Sequence, residues 1–255
     1  MGNLFIRLPD YGFVLIKLIS QLNTVPKHTS IQSFPPGKWQ DKHQNGIIRS
    51  FVATRKNFLI VKRSFDIFFS FLIVLLVLSW LTPIVALAIA INSKGPVFFR
   101  QKRIGRNGVP FYCYKFRTMV INEEADEMPA EEDDERITKV GRFLRRTNID
   151  ELPQFLNVLL GHMSIVGPRP HMVADCVRFS FVISSYSFRH LVRPGITGWA
   201  QINGYHGPTS DYESIIIRYY WDAMYVRKAG ILLDAKIFWK TLVQGIGNVF
   251  TSISK

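Results

Sequence analysis

One stretch restricts the fold of this chain more than any other feature. From Ile67 to Ser93, 27 consecutive residues have no charged side chain, and most of them are Leu, Ile, Val, Phe or Ala. As an α-helix this stretch would be about 40 Å long, which exceeds the roughly 30 Å hydrocarbon core of a bilayer. The stretch therefore predicts that the chain is bound to a membrane.

The path of this stretch through the bilayer has two interpretations. Pro83 lies inside it, where proline removes a backbone hydrogen bond and bends a helix. Basic residues flank both ends, with Lys62 and Arg63 before the stretch and Lys94 after it. Because basic flanks favour the cytoplasmic side, the stretch either enters, turns near Pro83 and returns, or crosses as a proline-kinked transmembrane helix.

The composition indicates one domain with an appendage and an anionic partner. The 255 residues are 47% hydrophobic, enough to build a core, and the net charge is +13. That charge suits nucleic acid, anionic lipid headgroups or phosphorylated small molecules. Cys113 and Cys176 have neither metal-binding nor redox spacing, so we expect reduced thiols and a body that faces the cytosol.

The chain divides into three parts. Residues 1–61 form an N-terminal extension: 1–20 contain short apolar runs that could lie on a membrane surface, and 21–50 have the composition of a flexible linker. Residues 62–95 form the membrane segment. Residues 96–255 form the main domain.

The main domain is predicted to be α+β and mainly helical. Residues 96–119 contain two aromatic-rich runs separated by Asn107-Gly108, which predicts a β-hairpin. Residues 138–146 predict a short helix, 171–192 are helical in pattern, and 213–249 predict two amphipathic helices that separate near Gly230. The aromatic and basic residues of the last two suit a bilayer interface.

The acidic pair Asp150-Glu151 is unusual in this chain. Nine of the 19 acidic residues lie in a run from Glu123 to Glu135, so the rest of the chain has 10 acids against 32 bases. Pro153 is tolerable only in a first helical turn, which predicts a helix that begins near Asp150. Helix N-termini favour anions. Taken alone, the segment fits an N-cap at Asp150 better than a chemical role.

Two further segments are candidates for ligand contact. Arg169 lies between two prolines, whose stiff backbone lowers the entropy cost of a phosphate contact, although an ordinary rigid turn has the same sequence. Residues 193–204 contain three glycines and Trp199, which fits either close approach of a ligand or a structural loop. An ionised carboxylate among arginines can attack phosphorus, and a divalent cation would reduce its repulsion from a diphosphate.

These features together resemble a known family. From Lys62 to about Phe250 the chain is similar to the bacterial sugar transferases, which are monotopic polyprenyl-phosphate phosphoglycosyl transferases. The motifs that match, in the family's order, are Lys62-Arg63 with Asp66, Thr82-Pro83 where the family usually has Ser-Pro, Lys115-Phe116-Arg117-Thr118-Met119, Asp150-Glu151-Leu152-Pro153-Gln154, Gly167-Pro168-Arg169-Pro170 and Arg193 to Gly204. His171 and Arg189-His190 further resemble the undecaprenyl-phosphate glucose or galactose phosphotransferase subgroup.

The resemblance implies a re-entrant membrane helix and a two-step reaction. Asp150 would attack the β-phosphate of UDP-glucose or UDP-galactose, release UMP and contact Mg²⁺, and Glu151 would assist as a base or by positioning. Undecaprenyl phosphate would then accept the sugar phosphate, which initiates exopolysaccharide, capsule or other glycoconjugate synthesis. The residues that match phosphate- or nucleotide-binding positions are Lys115, Arg145, Arg169 and Arg193.

The resemblance also implies a location at the cytoplasmic face of the bacterial inner membrane, with lipids and no nucleic acid as partners. A homodimer is left open. Long members carry four transmembrane helices ahead of the re-entrant one, so the chain is expected to be a short form with an extension or a truncated long form. The alternative function is a non-enzymatic, membrane-tethered binding or scaffold protein, which would be indifferent to the loss of Asp150.

Overall fold

The computed structural model describes residues 3–8, 12–17, 56–121, 134–205 and 212–253. The predicted linker at 21–50 and most of the acidic run at 123–135 lie outside the described residues. Near the N-terminus, Asn3–Leu8 (β1) pairs antiparallel with Gly12–Lys17 (β2). The sequence predicted only short apolar runs there.

The apolar stretch forms a continuous helix of 37 residues from Lys56 to Asn92, which is long and apolar enough to cross a membrane. It consists of α1 (Lys56–Ile73), a π-helical turn (Val74–Leu78) and α2 (Ser79–Asn92), which contains Pro83. The side chains of Ser79 and Trp80 donate to main-chain carbonyl groups within the π-helical turn, at 2.6 and 2.8 Å. Such turns are where long helices change their hydrogen-bond register.

One face of this helix packs on the rest of the protein along its whole length. Its buried residues recur at helical spacing and are Asp66, Ser70, Leu78, Val85 and Ile89. The opposite face exposes large apolar side chains, among them Ile60, Phe68, Leu76, Ile84, Leu87 and Ile91. Burial of such a side chain is worth roughly 1.5–3 kcal/mol, so this face favours lipid over water.

The predicted hairpin is confirmed. Phe98–Ile104 (β3) pairs antiparallel with Pro110–Phe116 (β4). Asn107 and Gly108 both have positive φ, 58° and 76°, as a tight turn between twisted strands requires. Just after β4, the buried Arg117 donates to the carbonyl groups of Ser93 and Lys94 at 2.7 and 2.9 Å, which fastens the end of the membrane helix to the hairpin.

The helix predicted near Asp150 begins later than expected. Lys139–Arg146 (α3) agrees with the predicted helix, and Thr138 caps it by accepting from the Gly141 amide at 2.9 Å. The acidic pair then lies in a 3₁₀ turn, Ile149–Glu151, and Gln154–Leu159 (α4) starts only after Pro153. Pro153 itself occupies the N-cap position without a side-chain cap, so Asp150 does not cap this helix.

The second half of the domain contains a parallel strand pair that the sequence did not predict. Ser164–Val166 (β5) pairs with Gly195–Thr197 (β6). A Cβ atom on Gly195 would lie 2.1 Å from the Gly167 amide nitrogen, and one on Gly198 would lie 2.3 Å from the Gly167 carbonyl oxygen. These two glycines of the 193–204 segment therefore allow backbone to approach backbone, which supports the structural interpretation of that loop.

Among the described residues, four further α-helices and a 3₁₀ helix make up the rest of the second half. They are α5 (Val173–Val182), a 3₁₀ helix (Tyr186–Leu191), α6 (Trp199–Ile202), α7 (Tyr212–Lys228) and α8 (Ile231–Ile253). The break predicted near Gly230 is confirmed. A central core formed by residues such as Phe155, Val158, Ile165 and Tyr225 packs against α1, so the acidic pair stands at the edge of a rigid core.

Candidate active site

Asp150 is a buried carboxylate without a hydrogen-bond partner among the described residues. The 3₁₀ turn that carries it leaves the residue 6% exposed. Burial raises the pKa of Asp150 from 3.8 to about 6, against the opposing effect of Lys115 and Arg145 and with a further contribution from the negative charge of Glu151. A carboxylate in this state is poorly solvated and unpaired, which makes it reactive when it is ionised.

Glu151 has the opposite environment. Its Oε1 atom accepts from Lys115 Nζ at 2.6 Å and from Arg169 Nη2 at 2.5 Å, and its Oε2 atom accepts from Arg169 Nη1 at 3.1 Å. Burial alone would raise the pKa of Glu151, but Arg169 and Lys115 outweigh it and hold this pKa well below its ordinary value. The two adjacent acids therefore differ in the direction of their pKa shifts and in availability.

Lys115 and Arg145 come to the pair from the hairpin and from α3. Lys115 lies on β4, whereas Arg145 lies in the last turn of α3. The Arg145 guanidinium donates from Nε to Thr118 Oγ1 at 3.0 Å and from Nη2 to Met119 Sδ at 3.3 Å. Burial lowers the pKa of Arg145 and the charge of Asp150 raises it. The guanidinium and the carboxylate therefore interact electrostatically without a direct ion pair.

The comparisons with known proteins agree with this arrangement. The profile described as bacterial sugar transferase matches residues 57–248, which include the membrane helix, the hairpin and the acidic pair.

The chain belongs to the bacterial sugar transferase family.

Three relatives illustrate the range of the family. The chain is 47% identical over 190 residues to the UDP-glucose:undecaprenyl-phosphate glucose-1-phosphate transferase of Escherichia coli (strain K12), covering 74% of this chain and 41% of the relative. It is 44% identical to the exopolysaccharide production protein PSS of Rhizobium leguminosarum bv. phaseoli, covering 72% and 94%. It is 40% identical to the UDP-N-acetylgalactosamine-undecaprenyl-phosphate N-acetylgalactosaminephosphotransferase of Aeromonas hydrophila, covering 71% and 43%. The chain therefore spans about two fifths of the length of two of these relatives.

Arg193 lies apart from the other predicted site residues of this chain. Its Nε atom donates to the carbonyl group of Gly161 at 2.9 Å. Gly161 ends α4, so Arg193 and the acidic pair lie at opposite ends of that short helix. The side chain lines a cleft with Lys62 and Arg63, at the start of the membrane helix. The nucleotide or phosphate contact predicted for Arg193 stays a prediction.

The donor set of the acidic pair fits Mg²⁺ bound together with a diphosphate. The described residues contain no group of three or more His, Cys, Asp or Glu side chains that could hold a metal ion by themselves. Glu151 is engaged by Lys115 and Arg169, whereas the carboxylate of Asp150 is available. Mg²⁺ commonly binds through one or two carboxylates, substrate phosphates and water, so Asp150 is the residue that would hold it.

Three residues support the site although the sequence predicted no contact with the acidic pair or its loop for any of them. Arg103 and Arg189 donate to the loop that carries Arg169, and Asp222 pairs with Arg189. A resemblance had drawn attention to Arg189, but nothing near Asp222 in the sequence indicated its partner, which lies 33 residues away. The one available signal was an acidic residue among the buried positions of an aromatic-rich helix.

Proposed function

We propose that this sugar transferase moves a sugar 1-phosphate from a UDP-sugar, UDP-glucose or UDP-galactose, to undecaprenyl phosphate, as a first step of exopolysaccharide, capsule or related glycoconjugate synthesis. The names of the relatives support the reaction class and the lipid acceptor. The observation that carries the proposal is the unpaired, buried carboxylate of Asp150 beside the Lys115–Glu151–Arg169 cluster.

In the first step, an oxygen of the Asp150 carboxylate forms a bond to the β-phosphorus of the UDP-sugar. The bond between that phosphorus and the oxygen that bridges to the α-phosphate breaks, and UMP leaves with the electron pair. The sugar phosphate remains on Asp150 as an acyl phosphate. Splitting one transfer into two displacements in this way is the usual advantage of a covalent intermediate.

In the second step, a phosphate oxygen of undecaprenyl phosphate attacks the same phosphorus. The bond to Asp150 breaks, the carboxylate is regenerated, and undecaprenyl diphosphate-sugar is formed. An acceptor anchored in the bilayer explains why the protein also carries a long lipid-facing helix.

The cationic side chains supply the electrostatic part of the mechanism. Lys115, Arg145 and Arg169 offer positive charge where the diphosphate and the transferring phosphoryl group carry negative charge. Because Glu151 is strongly paired and its pKa is held low, it is suited to positioning Lys115 and Arg169 rather than to accepting a proton. Mg²⁺ held at Asp150 would supply neutralisation of the diphosphate charge.

The proposal is tested by UMP release before any acceptor is added. Purified protein, Mg²⁺ and UDP-glucose are expected to release about one equivalent of UMP and to leave a hexose phosphate attached to the protein, measured by intact mass. Addition of undecaprenyl phosphate then restores continuous release. UMP that appears only when the acceptor is present would contradict the covalent intermediate. A panel of UDP-sugars in the same assay identifies the sugar.

The rate of the first step is expected to fall by about tenfold per pH unit below about pH 6. Only ionised Asp150 can attack, and its pKa is raised to about 6 by burial, so the reactive fraction is nearly complete at neutral pH and declines on acidification. Glu151 stays ionised over this range because its pKa is low. The check is kcat/KM for UDP-sugar between about pH 5 and about pH 8; a flat profile would contradict a raised pKa of Asp150 in the working enzyme.

We propose further that the apolar helix enters the bilayer from the cytosolic side and keeps both ends there. Two contacts support this topology: Lys62 near its start binds the carbonyl group of Val166 and the carboxylate of Asp234, and Arg117 binds the carbonyl groups just after its end. A helix that crossed the bilayer would carry one end away from the domain that holds it.

Single-cysteine labelling checks this topology. Cysteines placed at the exposed Lys56 and Lys94 are expected to react with a membrane-impermeant maleimide in inside-out vesicles and to be protected in intact cells. The native Cys113 and Cys176 are buried, so labelling of the protein without an added cysteine measures the background. Labelling of the two positions from opposite sides would establish a transmembrane helix instead.

A further inference from the structure

Two guanidinium groups bind the main chain of the loop Pro168–Arg169–Pro170. Its two prolines have no amide N–H, so this segment can contribute few backbone hydrogen bonds of its own. The carbonyl group of Arg169 accepts from Arg189 Nη2 at 2.5 Å, and that of Pro170 accepts from Arg103 Nη1 at 2.9 Å. The carbonyl group of Pro168 accepts from the Gly195 amide at 2.9 Å, so the Arg169 backbone is held by one main-chain contact and by side chains from other elements.

Arg189 is in turn fixed by an acid on α7. Its Nε and Nη2 atoms donate to Asp222 Oδ2 at 2.9 and 2.7 Å, and the two side chains are only 1% and 2% exposed. The guanidinium also lies over the ring of Tyr186, 5.3 Å from its centroid. A buried ion pair of this kind adds little stability compared with well-packed apolar residues, but apolar residues could not donate to the Arg169 carbonyl group.

The contacts form one connected series from α7 to the acidic pair. Asp222 binds Arg189, Arg189 binds the Arg169 main chain, and the Arg169 side chain binds Glu151. We propose that Asp222 and Arg189 are positioning residues that hold Arg169 in place for the diphosphate of the UDP-sugar. This inference rests on the proposed function. It means that α7, which carries Asp222, helps to position Arg169 at the site.

The physical reason is the geometry of a bidentate guanidinium. Arg169 already uses Nη1 and Nη2 on Glu151, and a phosphate contact from the same planar group tolerates little displacement. A shift of the main chain by an ångström would be passed directly to the guanidinium. When residues that position a binding site move by about an ångström, the affinity or activity of the site commonly falls considerably.

A coupling experiment tests the inference. UDP affinity is measured by calorimetry in Mg²⁺ buffer for Asp222→Asn, Arg169→Ala and the double variant. Asp222→Asn is expected to weaken UDP binding by roughly tenfold when Arg169 is present, and by less than about twofold in the Arg169→Ala background, because coupled residues are not additive. Asp234→Asn is the matched control. Asp234 lies on α8 and also forms a partly buried ion pair, with Lys62 on α1 at 2.6 Å, but among the described residues it has no hydrogen bond or ion pair with the Arg169 loop.

The result that overturns the inference is an equal loss of UDP affinity in both backgrounds, or an equal loss in Asp234→Asn. If Asp222→Asn does not fold, Arg189→Lys replaces it, because lysine keeps the charge but cannot bind Asp222 and the Arg169 carbonyl group in the same fork geometry. UDP binding is measured without turnover, so a missing covalent intermediate would contradict the proposed reaction separately.

Discussion

Replacing Asp150 with asparagine is expected to lower UMP release by a factor on the order of 10⁴ to 10⁶, the range of effects found when single members of a covalent catalytic unit are removed. Asparagine has nearly the same shape and keeps the 3₁₀ turn, but its amide oxygen is not a nucleophile toward phosphorus. The measurement is UMP formed from UDP-glucose, together with the mass of the protein. Unchanged UMP release would contradict Asp150 as the nucleophile, whereas native protein that releases no UMP from any UDP-sugar would favour a membrane-tethered binding or scaffold protein.

The same variant is expected to be more stable than the native protein at neutral pH. Burial raises the pKa of Asp150 from 3.8 to about 6, so the folded state disfavours the ionised form, and this penalty is fully present above about pH 6 and absent below the unfolded pKa. The difference corresponds to at most about 3 kcal/mol of unfolding free energy, which thermal denaturation at neutral pH would detect as a higher Tm.

Glu151→Gln is the matched control for Asp150→Asn. It also replaces an acid by its amide, but it leaves Lys115 and Arg169 without the carboxylate that pairs them. We therefore expect both lower activity and lower stability. Opposite signs of the two stability changes would separate the reactive acid from the structural one, and a gain in stability from Glu151→Gln would contradict the assignment of roles.

Replacing Asp66 with alanine is expected to lower the free energy of unfolding by about 2–6 kcal/mol. Asp66 is 2% exposed and accepts from Ser164 Oγ at 2.7 Å and from the Ile165 amide at 3.0 Å. Removal of its carboxylate leaves two buried donors unsatisfied, at about 1–3 kcal/mol each, and detaches the membrane helix from β5. The measurement is thermal unfolding in nanodiscs, with limited proteolysis to detect a loosened helix.

Asp66→Asn gives a graded comparison. Its side-chain carbonyl keeps one acceptor, so about half of the loss is expected to return. An Asp66→Ala variant with unchanged Tm and unchanged protease resistance would contradict the anchoring role. Asp66 and Asp150 make an instructive contrast, since both are buried aspartates, but one has two hydrogen-bond donors and the other has none among the described residues.

Local signals predicted the elements that depend on near neighbours. The hairpin turn at Asn107-Gly108, the helix up to Arg146 and the break at Gly230 each follow from residues a few positions apart. The β5–β6 pair escaped prediction because three-residue strands have no periodicity to recognise. The helix after Asp150 was placed too early because a 3₁₀ turn and an α-helix share their apolar spacing over one turn.

The acidic pair and its neighbours show which site residues can be selected from the sequence. Acidic residues are scarce in this part of the chain, and this scarcity together with the family motif was sufficient to select Asp150 and Glu151. The family motifs also selected Lys115, Arg145 and Arg169. The structure gathers these five residues together, although they come from a strand, a helix, a 3₁₀ turn and a loop. Arg193 was selected by the same reasoning, yet its side chain turns to the far end of α4.

The sequence by itself determined that the chain is held at a membrane, that it has a mainly helical domain with one hairpin, and that two adjacent acids stand out among cationic residues. These properties depend on composition, period and spacing along the chain. Only the tertiary structure decided which acid is paired and which is available, because that depends on where Lys115 and Arg169 lie in space. Burial and pairing are long-range properties, and they give adjacent carboxylates opposite pKa shifts.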